Sequence, residues 1–181
     1  KPTLNALKRK RKNYSGFLYV GLMIKNNEPY LIEYNIRMGD PECQVILPRL
    51  KTDLVHVLKK VVDNKLKKIN LKWKKEKCMT IVLCSKGYPK NYKKNIELNV
   101  LKGIKINKND YIYHAGTKEY NGQIFSNGGR VLNVTSIGNN FLKIRKRIIL
   151  ILRKLNLKNF FYRKDIGWRV INANNKRLLK R

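Results

Sequence analysis

The spacing of apolar side chains along the chain predicts short strands alternating with amphipathic helices. Apolar runs bounded by Gly, Pro and Asn predict strands over residues 17–24, 30–35, 78–84, 110–115, 123–125 and 130–136. A helical period predicts helices over residues 2–12, 52–66 and 140–155. Thr52 or Asp53 is the expected N-cap of the second helix. We therefore expect an α+β protein.

Composition changes near residue 70 and predicts two domains. A polar, lysine-dense stretch over residues 64–77 lies at the boundary between a first domain, residues 1–70, and a β-rich second domain, residues 71–172. The last helix is expected to pack on the second domain through one apolar stripe, formed by Phe141, Ile144, Ile148, Ile151, Leu152 and Leu155. Residues 173–181 are expected to form a basic tail.

The charge balance of the chain is strongly basic. There are 42 Lys and Arg residues against 11 Asp and Glu, a net charge of +31. Nucleic acid or an anionic surface is the usual partner of such a chain. However, 22 Asn and 18 Ile against 3 Ala favour a codon bias that spreads lysine over solvated surfaces, so no specific nucleic-acid partner is expected. A basic nucleic-acid-binding module derived from a degenerate enzyme stays as the alternative.

Cysteine usage and hydropathy bear on the location of the protein. Cys43, Cys78 and Cys84 form no CxxC pair, which argues against a disulfide framework and favours a reducing compartment. No apolar run approaches the length of a membrane span, so no membrane partner is expected. We therefore expect a cytoplasmic protein.

The densest group of chemistry-bearing residues lies at the end of the second predicted strand. Alternation predicts that Glu33, Asn35 and Arg37 share one face of that strand. Carboxylate and amide oxygens suit Mg²⁺, and a guanidinium suits a phosphate or carboxylate. Two simpler interpretations stay open. The first two residues also fit an exposed polar pair, and Arg37 also fits a salt bridge to Asp40 or Glu42.

A turn is predicted directly after this strand, at Gly39-Asp40-Pro41, because Gly permits unusual dihedrals and Pro fixes one. Asp40 and Glu42 suit three roles there: holding the loop, binding an amine, or capping the next helix. Elsewhere the sequence has no Ser-His-Asp order, zinc spacing or P-loop. The strand end and the loop are therefore the main candidates for chemistry.

Seven sequence blocks together resemble a known family. They are FLYVGLM (17–23), EYNIRMGDPECQ (33–44), LPRL (47–50), SKGYP (85–89), HAGT (114–117), NGGRVL (127–132) and RKDIGWR (163–169). In this order they resemble the phosphoribosylamine–glycine ligases, or glycinamide ribonucleotide synthetases, of the ATP-grasp superfamily. The resemblance implies the C-terminal part of an ATP-grasp lobe, followed by a small β-rich C-terminal domain with a packing helix.

The resemblance also implies a reaction of purine biosynthesis. In this family ATP phosphorylates the carboxylate of glycine, and 5-phosphoribosylamine attacks the glycyl phosphate to give glycinamide ribonucleotide, ADP and phosphate. By resemblance, Glu33 and Asn35 are the Mg²⁺ or Mn²⁺ ligands. Arg37 is the catalytic residue that holds the transferred phosphate, and Asp40, Pro41 and Glu42 shape the substrate side of the site.

The resemblance covers only part of the family's length. The N-terminal substrate domain and most of the ATP-binding lobe precede the position that Lys1 matches. We therefore expect a C-terminal fragment that is inactive alone and whose partner is the missing N-terminal part of the same enzyme. The expected small-molecule partners are ATP, glycine and 5-phosphoribosylamine.

Overall fold

The computed structural model describes residues 2–11, 14–155 and 158–172, and it confirms the predicted α+β class. The helices are α1 (Pro2–Arg9), α2 (Cys43–Ile46), α3 (Leu54–Val62) and α4 (Phe141–Lys154). The strands are β1 (Tyr19–Lys25), β2 (Glu28–Asn35), β3 (Lys77–Ser85), β4 (Asp110–His114), β5 (Thr117–Tyr120), β6 (Gln123–Ser126), β7 (Arg130–Gly138) and β8 (Phe160–Phe161). Each predicted strand and helix occurs, with shifted ends.

The chain divides into two compact units. The first, which we call the hairpin unit, comprises Lys1–Cys43 and Leu50–Trp73. The second, which we call the sheet unit, comprises Gln44–Arg49 and Lys74–Arg181. The predicted basic tail, residues 173–181, lies outside the described residues.

The hairpin unit is built on the antiparallel pair β1 and β2. Asn26 and Asn27 join the strands with φ of 51° and 65°, the left-handed pair of a two-residue turn that matches strand twist. Several large apolar side chains on the two strands are at least half exposed: Leu22, Met23, Ile24, Tyr30, Leu31 and Ile32. Within the described part of this unit, Val57 is the buried apolar residue. The hairpin therefore has little core of its own.

Helix α3 is shorter than the predicted range of residues 52–66. Of the two candidate caps, Asp53 is the one used, and its carboxylate accepts a hydrogen bond from the His56 amide at 2.7 Å. The helix ends at Val62, and Asn64 two residues later has a positive φ of 55°, which does not continue a right-handed helix. Helix α1 ends at Arg9, and its predicted end at residue 12 lies outside the described residues.

The sheet unit contains a four-stranded antiparallel sheet in the order β4-β7-β3-β8, with α4 packed on one face. Asn140 caps α4 by accepting a hydrogen bond from the Lys143 amide at 3.1 Å. The predicted stripe of this helix is buried at Ile144, Ile148, Ile151, Leu152 and Leu155. Phe141, at the start of the stripe, is partly buried. The helix therefore packs as its period predicted.

Two strands of the sheet unit are absent from the sequence prediction. Strand β5 pairs with β6 in a separate hairpin, and β8 adds two residues to the edge of β3. The hairpin turns at Asn121 and Gly122, which have φ of 49° and 71°. Among the described residues, no helix is long and apolar enough to cross a membrane.

Candidate metal and phosphate site

Glu33 and Asn35 lie side by side at the end of β2, as alternation predicted. The Asn35 amide donates through Nδ2 to Glu33 Oε1 at 2.9 Å. Glu33 is exposed and Asn35 is partly buried. The strand end therefore presents a carboxylate and an amide together at the surface.

Strand β1 supports this pair from across the hairpin. Tyr19 lies opposite Asn35 and Gly21 lies opposite Glu33. A Cβ at Gly21 would lie 3.1 Å from Glu33 Cγ, so the glycine leaves room for the glutamate side chain above β1. Sequence reasoning did not identify Tyr19 or Gly21 as positioning residues. Cross-strand pairing is the signal that points to them.

The loop at residues 39–42 is held closed by its own glutamate. The Gly39 amide donates to Glu42 Oε2 at 3.0 Å, and the Cys43 amide donates to the Gly39 carbonyl at 2.9 Å. A Cβ at Gly39 would lie 3.4 Å from Tyr19 Cε2, and one at Gly21 would lie 3.5 Å from Tyr19 Cε1. The Tyr19 ring therefore lies against both the loop and the strand. Of the roles left open for Glu42, the structure shows that of holding the loop.

The carboxylates of Asp40 and Glu42 both affect the pKa of the Cys43 thiol. Burial raises the pKa of the Cys43 thiol, and the charges of Asp40 and Glu42 raise it further. Pro41, between them, is partly buried and follows a cis peptide bond. The loop therefore carries two negative charges on a backbone that is held by the hydrogen bonds of the Gly39 and Cys43 amides.

Arg37 lies two residues beyond the end of β2, so the alternation of the strand does not extend to it. Its side chain is exposed and donates through Nη1 to the Met38 carbonyl at 2.9 Å. The predicted three-residue face is thus a two-residue face followed by an arginine on the connection to the loop.

The Glu33–Asn35 pair fits a hard divalent cation as part of a ligand set. Within the described ranges, no group of three or more His, Cys, Asp or Glu side chains is placed to hold a metal ion. Mg²⁺ commonly takes one or two protein oxygens and completes its shell with water and substrate phosphates. The carboxylate of Glu33 and the amide oxygen of Asn35 match that requirement.

Three of the sequence blocks meet at one end of the sheet unit. A Cβ at Gly116 would lie 2.6 Å from Gly128 Cα, and one at Gly129 would lie 2.0 Å from the Tyr88 ring. Ser85 Oγ donates to the Gly128 carbonyl at 3.0 Å. These glycines are therefore required for close packing of the SKGYP, HAGT and NGGRVL segments.

Comparison with known proteins bears on both units. Residues 1–43 match the family model described as "Phosphoribosylglycinamide synthetase, ATP-grasp (A) domain". Residues 78–169 match the model described as "Phosphoribosylglycinamide synthetase, C domain". The first match assigns the segment that carries Glu33 and Asn35 to the ATP-grasp class. The chain belongs to the phosphoribosylglycinamide synthetase family, and the resemblance seen in the sequence is confirmed.

The relatives are longer than this chain. The phosphoribosylamine–glycine ligase of Caldanaerobacter subterraneus subsp. tengcongensis is 39% identical over 92% of this chain and 39% of its own length. That of Fusobacterium nucleatum is 40% identical over the same shares. The crystal structure of phosphoribosylamine–glycine ligase from Thermotoga maritima has a TM-score of 0.75 and 29% identity, and covers 90% of this chain and 40% of that one. The chain therefore spans about two fifths of the length of the curated relatives it matches.

Proposed function

We propose that this chain is part of a phosphoribosylamine–glycine ligase that acts in purine biosynthesis. In the complete protein, ATP transfers its γ-phosphate to the glycine carboxylate. The amine of 5-phosphoribosylamine then displaces that phosphate, giving glycinamide ribonucleotide, ADP and phosphate. The observation that carries the proposal is the Glu33–Asn35 pair, joined at 2.9 Å, within a segment that matches an ATP-grasp domain.

The residues at the strand end and the loop take separate roles in this proposal. Glu33 and Asn35 hold Mg²⁺ or Mn²⁺, which supplies positive charge to the ATP phosphates when bound. Arg37 neutralises the transferred phosphate, a task that suits an exposed guanidinium two residues after the end of β2. The loop Asp40-Pro41-Glu42 shapes the substrate side, and its hydrogen bond from Gly39 keeps it closed.

We also propose that the chain is a C-terminal part of the enzyme and needs the rest of it for turnover. Two observations support this: the chain spans 39% of the length of a curated relative, and the β1–β2 hairpin exposes apolar side chains on both strands. An isolated two-stranded hairpin is marginally stable in water. The proposed domains are residues 1–70 and 71–172, followed by the tail at 173–181. A cytoplasmic location stays a prediction.

A chimeric enzyme tests the proposal. Residues 1–172 replace the matching region of the Fusobacterium nucleatum ligase, and glycine-dependent ADP release and growth of a purine auxotroph are measured. We expect the chimera to be active and the isolated chain to be inactive. Glu33→Gln in the chimera should lower kcat/KM by about 100-fold and raise the Mg²⁺ concentration needed, because a charged ligand is lost.

Glu28→Gln is the matched control, since Glu28 is an exposed glutamate at the start of the same strand. It should leave kcat/KM within about twofold, because surface substitutions away from a site have small effects. Glycine-dependent ADP release by the isolated chain would disprove the need for the remaining enzyme. An unchanged Mg²⁺ requirement in Glu33→Gln would rule out the metal-ligand role.

A further inference from the structure

The chain contains two Asn-Gly pairs, at residues 121–122 and 127–128, and the structure places them in different surroundings. An asparagine before a glycine is open to attack on its own side chain, because the glycine has no Cβ to hinder the approach of its backbone nitrogen. Asn121 and Gly122 are exposed and form the turn between β5 and β6. Asn127 and Gly128 begin the packed NGGRVL segment. The two pairs therefore share a local sequence and differ in their backbone contacts.

The backbone amide of Gly122 is free to act as a nucleophile. Tyr120 and Gln123 pair across the hairpin, so the two turn residues lie outside the ladder. Among the residues that the structure describes, no hydrogen bond engages the Gly122 amide or the Asn121 side chain. The Gly122 carbonyl, in contrast, accepts from Lys102 Nζ at 2.6 Å. The charge of Lys102 favours removal of the amide proton, because a nearby cation stabilises an anionic nitrogen.

The amide of Gly128 is engaged in a backbone contact. It donates to the Gly116 carbonyl at 3.1 Å, and the Asn127 amide donates to the same oxygen at 2.7 Å. A Cβ at Gly128 would lie 3.0 Å from Gly116 Cα, so the two segments are in close contact. The Gly128 nitrogen can attack the Asn127 side chain only after these contacts break. We therefore expect the packing to protect the second pair.

We propose that Asn121 is a site of spontaneous deamidation, with water as the co-reactant. The Gly122 nitrogen loses its proton and bonds to Cγ of Asn121. The bond between Cγ and the side-chain nitrogen breaks, and that nitrogen takes up a proton and leaves as ammonia. Water then opens the succinimide ring: attack at Cγ gives aspartate, and attack at the backbone carbonyl carbon gives isoaspartate. This inference goes beyond the proposed ligase activity and does not depend on it.

The two products should affect the β5–β6 hairpin differently. Aspartate keeps the length of the backbone and suits the same two-residue turn, because Asp-Gly is favoured there as Asn-Gly is. Isoaspartate carries the chain through its side-chain carbon and adds a methylene group to the backbone. The pairing of Tyr120 with Gln123 then no longer closes over two residues of ordinary length. Both products also place a carboxylate at the tip of the hairpin.

Peptide mapping by mass spectrometry tests the inference on the 181-residue chain. The chain is incubated at mildly alkaline pH in water enriched in heavy oxygen and is then digested in ordinary water, so the label marks only the deamidation that preceded digestion. Trypsin cleaves after Lys118 and Arg130 and releases residues 119–130 as one peptide, whose fragments report on both asparagines. We expect the label at residue 121, with conversion there about tenfold or more faster than at residue 127, because two hydrogen bonds protect the second pair.

A synthetic peptide of residues 119–130 is the matched control, since it has the same sequence without the fold. Its two asparagines should convert at similar rates, because each precedes a glycine. Equal conversion of residues 121 and 127 in the folded chain would overturn the inference, because the contacts of Gly128 would then give no protection. Retention of Asn121 in the folded chain after full conversion of the peptide would also overturn it, because the turn would then be protective. Circular dichroism after incubation verifies that the chain stays folded.

Discussion

Replacing Arg147 with Met removes the charged partner of a carboxylate buried in the sheet unit. The Asp110 side chain is 1% exposed, and Arg147 Nε lies 3.1 Å from its Oδ1. Asn107 Nδ2 donates to Oδ2 of the same carboxylate at 3.3 Å, and the Ser136 hydroxyl donates to Oδ1. Arg147 Nη2 also donates to the Ile137 carbonyl at 2.6 Å. The substitution therefore disrupts a network that joins α4 to β4 and β7.

The expected loss of unfolding free energy is about 3 kcal/mol. Removing one partner of a buried ion pair costs about 3–5 kcal/mol, because the other charge stays buried without compensation. The lower end applies because the Arg147 side chain is 33% exposed and because two neutral donors remain on Asp110. With a urea m-value of about 2 kcal/mol/M, the unfolding midpoint should fall by roughly 1.5 M.

Urea unfolding followed by Trp168 fluorescence measures this loss. A Trp73→Phe background removes the tryptophan of the hairpin unit, so the signal reports on the sheet unit alone. Lys146→Met, at an exposed position of the same helix, is the matched control and should change the unfolding free energy by less than about 0.5 kcal/mol. Adding Asp110→Asn to Arg147→Met should restore part of the loss, because the buried charge is then removed.

Two results would refute this reasoning. If Arg147→Met and Lys146→Met have equal unfolding free energies, the ion pair does not stabilise the sheet unit. If the losses from Asp110→Asn and Arg147→Met simply add in the double variant, the two side chains are not energetically coupled.

Two further predictions concern a glycine and a cysteine. Gly167→Ala should lower the unfolding free energy by about 1 kcal/mol or more in the same urea assay, because the backbone φ at this position is +83°. Gly103→Ala is the control and should lower it by less than about 0.5 kcal/mol, because no atom lies within 4 Å of the added Cβ. An equal cost at both positions would contradict this. Burial raises the pKa of the Cys43 thiol, and the charges of Asp40 and Glu42 raise it further. Glu42→Gln removes one of these charges, so the thiol pKa should fall and the pH–rate profile for Cys43 alkylation should shift to lower pH. Glu119→Gln should leave the profile unchanged, and an unshifted Glu42→Gln profile would disprove the charge effect.

The long periodic elements were predictable because their own residues define them. Helix α4 carries both its apolar stripe and its Asn140 cap within one continuous segment, so pattern and cap agree on where it begins. Strand β8 has no such local signal. Phe160 and Phe161 form a strand only because they pair with Ser85 and Cys84 of β3, a contact far apart in the sequence. The sequence of such a strand does not predict it, because the strand depends on pairing with a segment far away in the chain.

The candidate site, like the strands and helices, was predictable only where the local sequence defines it. Period-two alternation correctly predicts that Glu33 and Asn35 lie together. Because β2 ends at Asn35, the alternation does not determine where the Arg37 side chain lies. The contribution of Tyr19 depends on the register across the hairpin and on the return of the loop at Gly39.

Stability and candidate chemistry lie in different units of this chain. The sheet unit buries large apolar side chains to 1% exposure or less, among them Ile81, Leu83, Val134, Ile144 and Leu152. The hairpin unit, which carries Glu33 and Asn35, leaves most of its apolar strand residues in water. Metal ligands work only when surrounding packing holds them within about 0.5 Å of the required geometry. Under the proposed function, the ligand pair would gain its working geometry only in the longer ligase, which is the same condition that the proposed activity requires.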